Sequence, residues 1–507
     1  MYLLALAPIL LVLVGSLGFL FVKVSRRESS RNLGELPPGP RGMPVVGHLH
    51  MLGKLPHQTL THLSKIYGPI MSIKLGTVRT IVVSSPRAAE LFLKTYDHVF
   101  ASRPKTQAAG IFFNGSKAVT LTPYGTHWRN VRKLYVVHLL NTSKIIQFKP
   151  IRTEEIGRVI DRVKTAAEKN EVVNVSKILL ELFENLVYRM ILGRSKNDDD
   201  VKLKELVEEM VSLAGAFNIS DYLPLLAPLD LQGLFRRMKQ LRKSMDIILD
   251  KIIEEHEHQK DYKSKDDKDF VDVLLSLLNQ SIDPQDKNSE IIDRNHVIVI
   301  LLDMVGASLE TSVKAIEWIF SEILKNPRVM KKLQDELETI IGKDRMVQES
   351  DLSKLTYLDM VIKEGLRLHP VGPFLVPHES MEDVVVDGFY IPRNSRILIN
   401  VWSIGRDRDV WGDNVEEFYP ERFENEDIDI QGLDFKLIPF GSGRRRCPGM
   451  HMGILNVRLV LAQLVHSFYW KMPHGMALED IDMDEKFGLT VGRANNVFAI
   501  PIYRFND

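Results

Sequence analysis

The segment Phe440–Gly449, FGSGRRRCPG, holds the only cysteine in a chain of 507 residues. One sulfur forms no disulfide within the chain and cannot by itself build a tetrahedral zinc or iron–sulfur centre. The remaining fates of Cys447 are a single axial ligand to a haem iron, a nucleophile, or an inert core residue. Its neighbours discriminate among them. Gly441, Gly443 and Gly449 remove side chains on both flanks, as a backbone needs where a flat, bulky group lies against it. Arg444, Arg445 and Arg446 favour thiolate over thiol. Pro448 fits the first turn of a helix whose positive end points at the sulfur. The pattern predicts a thiolate, pinned by a tight glycine loop, that binds a metal.

The body around that loop is large. Hydrophobic residues make up 45% and charged residues 26% of the chain, ordinary globular usage that allows a sizeable core. Lys+Arg and Asp+Glu both number 66, and this balance offers nothing for nucleic acid. Tyr2 to Val22 is uncharged, about 21 residues and about 31 Å as a helix, enough to cross a bilayer. Lys23, Arg26 and Arg27 follow at once, which predicts a lumenal N-terminus and a cytoplasmic body. A cleavable signal peptide would want a basic leading region and a shorter apolar core, and neither is present. Next come Leu36-Pro37-Pro38-Gly39-Pro40, Gly42 and Pro44, a density of proline that predicts a stiff, extended segment. The expected organisation is an anchor over residues 1–27, a proline-rich hinge over 28–50, and a catalytic body over 51–507.

Periodicity predicts a mainly helical body with a smaller β-rich region. Long amphipathic stretches are Ser176–Leu192, Leu234–His258, Asn295–Leu324 and Arg328–Ile341. Strands are expected at Ile70–Leu75 and Thr80–Ser84, then at Asp383–Tyr390, Arg396–Asn400 and Val497–Tyr503. The charged stretches Gly193–Asp200 and Lys260–Asp269 read as solvated loops.

Four patterns in this order carry a resemblance. Trp128 and Arg132 stand four apart on one helix face. Ala307-Ser308-Leu309-Glu310-Thr311-Ser312 lies mid-way along the Asn295–Leu324 stretch. Glu364–x–x–Arg367 is followed by Pro420-Glu421-Arg422-Phe423. Last comes Phe440–x–x–Gly443–x–Arg445–x–Cys447–x–Gly449. Over essentially its whole length the chain resembles the haem-thiolate monooxygenases, the cytochromes P-450, and within them the large plant microsomal group that acts on specialised metabolites. Ser308 departs from the family pattern, which usually has glycine there.

The resemblance implies the cytochrome P-450 fold, with haem (iron-protoporphyrin) between the long central helix and the helix after the cysteine loop. Cys447 would be the axial thiolate ligand, with Phe440, Gly443 and Gly449 shaping its loop and Ala307 letting the group approach the central helix. Trp128, Arg132, His378 and Arg445 would contact the propionates. Thr311 and Glu310 would deliver protons to bound dioxygen. Glu364, Arg367 and Arg422 would form a buried structural triad. The implied reaction inserts one oxygen atom of O2 into a C–H bond of a lipophilic terpenoid, phenylpropanoid or alkaloid. Electrons would come from NADPH through a flavoprotein reductase, with Arg129, Lys133, Lys436, Arg444 and Arg446 as a basic docking face. An apolar pocket would draw on Phe112, Phe113, Leu309, Val371, Phe374 and Leu489. The implied location is the endoplasmic reticulum membrane, single-pass, in contact with lipid. The alternatives are a haem-thiolate isomerase or dehydratase that needs neither O2 nor reductase, and a membrane-tethered binding protein without cofactor.

Overall fold

A computed structural model describes residues 34–114, 117–194, 198–259, 268–282 and 290–505. The expected anchor over residues 1–27 lies outside the described residues.

The longest helix, Arg294–Lys325, organises the rest. Asp293 starts it by accepting the His296 N–H, which satisfies one of the donors a helix leaves open at its first turn. Its sequence is apolar on nearly every side, and a helix hydrophobic all round must be enclosed by other elements. Val175–Ile191 and the helix Met450–Ser467 pack against it. Among the described residues it is the one helix long and apolar enough to cross a bilayer, yet 67% of its apolar window is buried inside the protein. It is a core helix.

Leu234–Gln259 and Pro327–Ile341 form where the apolar spacing predicts them. Residues 195–197 and 260–267 of the two expected loops lie outside the described residues, and the described ends differ from the expectation. Helix Asp198–Gly215 begins inside the first. In the second, Asp269 is a buried N-cap for Phe270–Ser276, bonded by the Asp272 N–H at 2.9 Å and by His256 Nε2 at 3.1 Å. A charged run in sequence does not reveal that one of its carboxylates is paired and enclosed.

The β-rich region is built of short strands. Ile70–Leu75 and Val78–Val83 pair antiparallel around Gly76, Val78–Val83 runs parallel to Arg396–Ile399, and His378–Glu379 closes that sheet. Gly76 is obligatory, because its φ is +59° and a Cβ would meet the Tyr222 carbonyl at 2.4 Å. The stretch expected as one strand over Asp383–Tyr390 is a hairpin, Val384–Val386 with Phe389–Ile391. Its turn is Asp387-Gly388, both with positive φ, the pair that a two-residue hairpin loop demands. Phe498–Tyr503 gains two partners that the sequence reading lacks, Val173–Asn174 and Phe468–Lys471. The proline-rich segment is laced to the first strand: Ser72 N–H donates to the Pro38 carbonyl at 2.8 Å, and His48 N–H to the Lys74 carbonyl at 2.7 Å.

Candidate active site

Cys447 ends a loop closed by its own N–H on the Phe440 carbonyl at 2.9 Å. Two N–H groups at the start of the following helix, of the N-cap Gly449 and of Met450, face its sulfur. With the Arg132 and Arg446 guanidinium groups they favour the thiolate, but burial outweighs them and pushes the free thiol up. A metal cation is what would reverse that balance. The helix starts at Met450 with Gly449 as its N-cap, so Pro448 precedes it rather than sitting in its first turn. The three arginines divide differently from the sequence expectation. Arg444 pairs with Asp97 at 2.6 Å, and Arg445 turns away to the Ala101 and Thr122 carbonyls, both at 2.6 Å. The glycines also have a different reason. Gly443 has φ +66° and packs where a Cβ would strike the Leu93 carbonyl at 2.3 Å, whereas a Cβ on Gly449 would stand 4.0 Å from the sulfur. Tight packing on the segment Leu91–Asp97 sets the loop's shape.

Beside the loop lies a buried cluster of cations. Every hydrogen bond shown for Arg445 and Arg103 goes to a backbone carbonyl: Ala101, Val119 and Thr122 for the first, Thr120, Val376 and Pro377 for the second. Arg132 bonds the Arg446 carbonyl at 2.7 Å. Burial and the neighbouring Arg132 depress Arg445 to about 9, and burial with Arg445 also depresses Arg103. Cations without ionic partners in such a place are costly unless an anion joins them. Trp128 lies under Arg445, with the guanidinium 4.2 Å from the ring centroid, and gives its N–H to the Val119 carbonyl at 3.0 Å. His378 bonds the Phe100 carbonyl at 2.8 Å, and burial together with Arg103 and Arg445 keeps it neutral.

Beside the helix that follows the cysteine, the central helix changes character. Val297 to Val305 is buried and so is Val313, but Ala307 is exposed and Gly306, Ser308, Thr311 and Ser312 are half-buried. Thr311 Oγ1 donates to the Ala307 carbonyl at 2.8 Å, and Ser308 to the Met304 carbonyl at 2.7 Å. Glu310 pairs with Lys314 at 2.5 Å, and Lys314 also reaches Thr490 at 2.7 Å. A Cβ at Gly453 would meet Ser312 Oγ at 3.8 Å, so the cysteine helix passes directly beside this stretch. Behind it, Glu364 receives Arg367 at 2.7 and 2.9 Å and Arg422 at 2.9 and 3.0 Å, a closed buried triad. Of the expected pocket residues, Phe112, Phe113 and Leu309 are enclosed in the main core, while Leu489 is exposed. Phe374 meets the rings of His57 and Phe487 edge-on.

A family profile described as Cytochrome P450 matches residues 37–497. The chain belongs to the cytochrome P450 family. It is 50% identical to cytochrome P450 CYP736A12 of Panax ginseng over 98% of this chain and 99% of that one. It is 39% identical to flavonoid 3′-monooxygenase CYP75B137 of Crocosmia x crocosmiiflora, over 95% of each chain. Among solved structures, a zebra fish cytochrome P450 with progesterone superposes with a TM-score of 0.73 at 25% identity, over 88% of this chain and 99% of that one. As a P450 this protein is a monooxygenase with a haem-thiolate cofactor. The residues present fit that group. A lone sulfur faced by two backbone N–H groups leads into a helix that passes beside the accessible stretch of the central helix, and buried arginines without ionic partners among the described residues suit its carboxylates.

Sequence reasoning missed three contributors to this P450 site. Arg103 is one; Asp303 and Lys314 are the others. Asp303 is buried, with its carboxyl pushed up by burial. It accepts from Tyr135 at 3.0 Å and from the Val119 N–H at 3.1 Å, and so ties the central helix to the peptide that holds Trp128 and Arg445. Nothing in local sequence marks these residues.

Proposed function

We propose that this P450 inserts one oxygen atom of O2 into a C–H bond of a lipophilic small molecule of the terpenoid, phenylpropanoid or alkaloid kind. The observation that carries the reading is that the helix following Cys447 passes, at Gly453, beside Ser312 in the opened stretch Gly306–Ser312 of the central helix. Bound haem supplies the redox chemistry, its thiolate ligand favouring O–O cleavage.

The chain's own residues then have separable tasks. Cys447 holds the iron, steadied by the N–H groups of Gly449 and Met450. Arg445, Arg132 and Arg103 hold the group's carboxylates, Trp128 supports Arg445 from below, and His378 stands against the same cations. Ala307 leaves room on the helix, while Phe440, Gly443 and Gly449 keep the loop in shape. Thr311 passes protons inward from its hydroxyl. Glu310 serves that relay once it exchanges its contact with Lys314 for water. NADPH-dependent flavoprotein reductase supplies the electrons, and Arg129 and Lys133, exposed on the helix of Arg132, serve its docking. Arg444, Arg446 and Lys436, which bond Asp97, the Gln431 carbonyl and Glu426, complete that docking face. Residues 1–27 anchor the chain in the endoplasmic reticulum membrane with its catalytic body in the cytoplasm, where lipid delivers apolar substrates.

The test is turnover of purified full-length protein with reductase and NADPH against a library of lipophilic plant metabolites, read by mass spectrometry. Products heavier by one oxygen atom, formed only with NADPH, are expected. Isomerised or dehydrated products formed without NADPH would overturn the proposal.

A further inference from the structure

Away from the cysteine loop, three ligand-type side chains from three separate segments converge. His127 lies in the first turn of helix Thr126–Leu134, His296 in the first turn of the central helix, and Glu290 in the strand-like segment before it. Glu290 Oε2 stands 2.9 Å from His127 Nδ1 and 3.2 Å from His296 Nε2. The three ligand atoms all fall within 4.8 Å of one another. Donors around a tetrahedral ion with bonds of about 2.0–2.1 Å stand roughly 3.3 Å apart, close to these separations.

Each donor is held in place by the fold. The Glu290 carbonyl accepts the Ile282 N–H at 3.0 Å, beside an antiparallel bridge between Ser281 and Ile291. His296 Nδ1 lies 2.6 Å from Asp293 Oδ1, and His127 Nε2 lies 3.4 Å from the Lys117 carbonyl. A histidine that binds a metal through one ring nitrogen usually donates from the other to a carboxylate or carbonyl, which fixes its tautomer and orientation. Both rings have that partner, and both turn the remaining nitrogen to the same carboxylate oxygen. The competing use of His296 Nδ1, as acceptor from the Asp293 N–H, is the longer contact at 3.3 Å. With both carboxylates ionised, protons alone satisfy every contact only when each of the four ring nitrogens donates one. A divalent cation replaces the two protons that face Glu290.

The geometry points to a divalent transition-metal site, of the kind zinc occupies, built from His127, Glu290 and His296. Two imidazoles and one carboxylate are an established zinc donor set, and half of the Glu290 side chain is exposed, which leaves water access to complete the shell. The Lys117 ammonium, 3.7 Å from Asp293 Oδ2, is the cation alongside. An ion here cross-links the helix of Trp128 and Arg132 to the start of the central helix.

The test uses tag-free holoprotein, in which haem engages Cys447, freed of loose metal with a chelator. Zinc chloride is titrated in competition with a chromophoric chelator. One ion per chain is expected, with affinity lower by about tenfold or more in His127→Gln and in Glu290→Gln. His474→Gln, at an exposed histidine elsewhere, should bind as the unchanged protein does. The haem spectrum of each variant reports that it is folded. No zinc binding with a Kd below about 100 µM, or unchanged binding in both His127→Gln and Glu290→Gln, would overturn the site.

Discussion

Replacing Arg367 by Ala tests how the triad behind the haem site holds the fold. Arg367 is 1% exposed. Beyond Glu364 it donates to the carbonyls of Gly405 at 2.5 Å, Val415 at 2.7 Å and Glu417 at 3.2 Å. Truncation does not orphan Glu364, because Arg422 and the Tyr419 N–H, at 2.9 Å, still hold it. The loss falls on three carbonyls and on a charge pair reduced to one cation. Stranding a buried charge costs about 3–5 kcal/mol. With Glu364 still held by Arg422 the charge part is about 2 kcal/mol, and the three stranded acceptors at about 1 kcal/mol each add about 3 kcal/mol. A total near 5 kcal/mol is comparable with the whole stability of many proteins. For 507 residues the unfolding entropy is roughly 1 kcal/mol per kelvin, so the melting temperature should fall by about 5 °C. Arg422→Ala should cost less, since Arg367 keeps both oxygens of Glu364 engaged. Thermal melts, with haem content from the reduced carbon-monoxide difference spectrum, measure both variants. A melting temperature for Arg367→Ala within about 1 °C of the parent, at full haem loading, would refute the reasoning.

Three further outcomes are expected. Thr311→Ala loses one hydrogen bond to a backbone carbonyl, roughly 1 kcal/mol, so haem content should persist while product per NADPH consumed falls; full coupling in this variant would remove Thr311 from the relay. Burial raises the Glu421 carboxyl, but Arg328, Lys332 and the Tyr357 hydroxyl overcome it and hold the group at about 2. A depressed carboxyl stabilises above its usual value of 4.5, and the benefit is lost as pH falls from there towards about 2. The gap in melting temperature between the parent and Glu421→Gln should therefore narrow below about pH 4.5, and a gap constant from pH 6 to pH 3.5 would contradict the assignment. Deleting residues 2–22 should release the chain from alkaline-resistant membrane association, and a truncated chain that still resists carbonate extraction would exclude the single anchor.

Features set by neighbours along the chain were legible in the residues. The cysteine loop, the four-residue step from Trp128 to Arg132, the Glu364–x–x–Arg367 pair and the strand Ile70–Leu75 follow from local periodicity, which covalent geometry imposes wherever the segment lies. The hairpin at Asp387-Gly388 is legible as well, since that dipeptide is a strong local turn signal, although the apolar run over Asp383–Tyr390 predicts one long strand. Partners distant in the chain were not legible. Arg103 joins Arg445, Asp303 anchors Val119, and Lys314 joins Glu310 to Thr490, each across a stretch whose path only the packed structure specifies. The same limit misassigned the arginines of the cysteine loop. Three consecutive cations look alike in sequence, but the backbone aims successive side chains in different directions. Arg444 therefore meets Asp97, Arg445 meets carbonyls of the segment Ala101–Thr122, and Arg446 opposes the burial that pushes the Cys447 thiol up. Residue type and spacing decide which chemistry is available, whereas tertiary packing decides which charges are desolvated and what they face, because burial and pairing belong to neighbours in space.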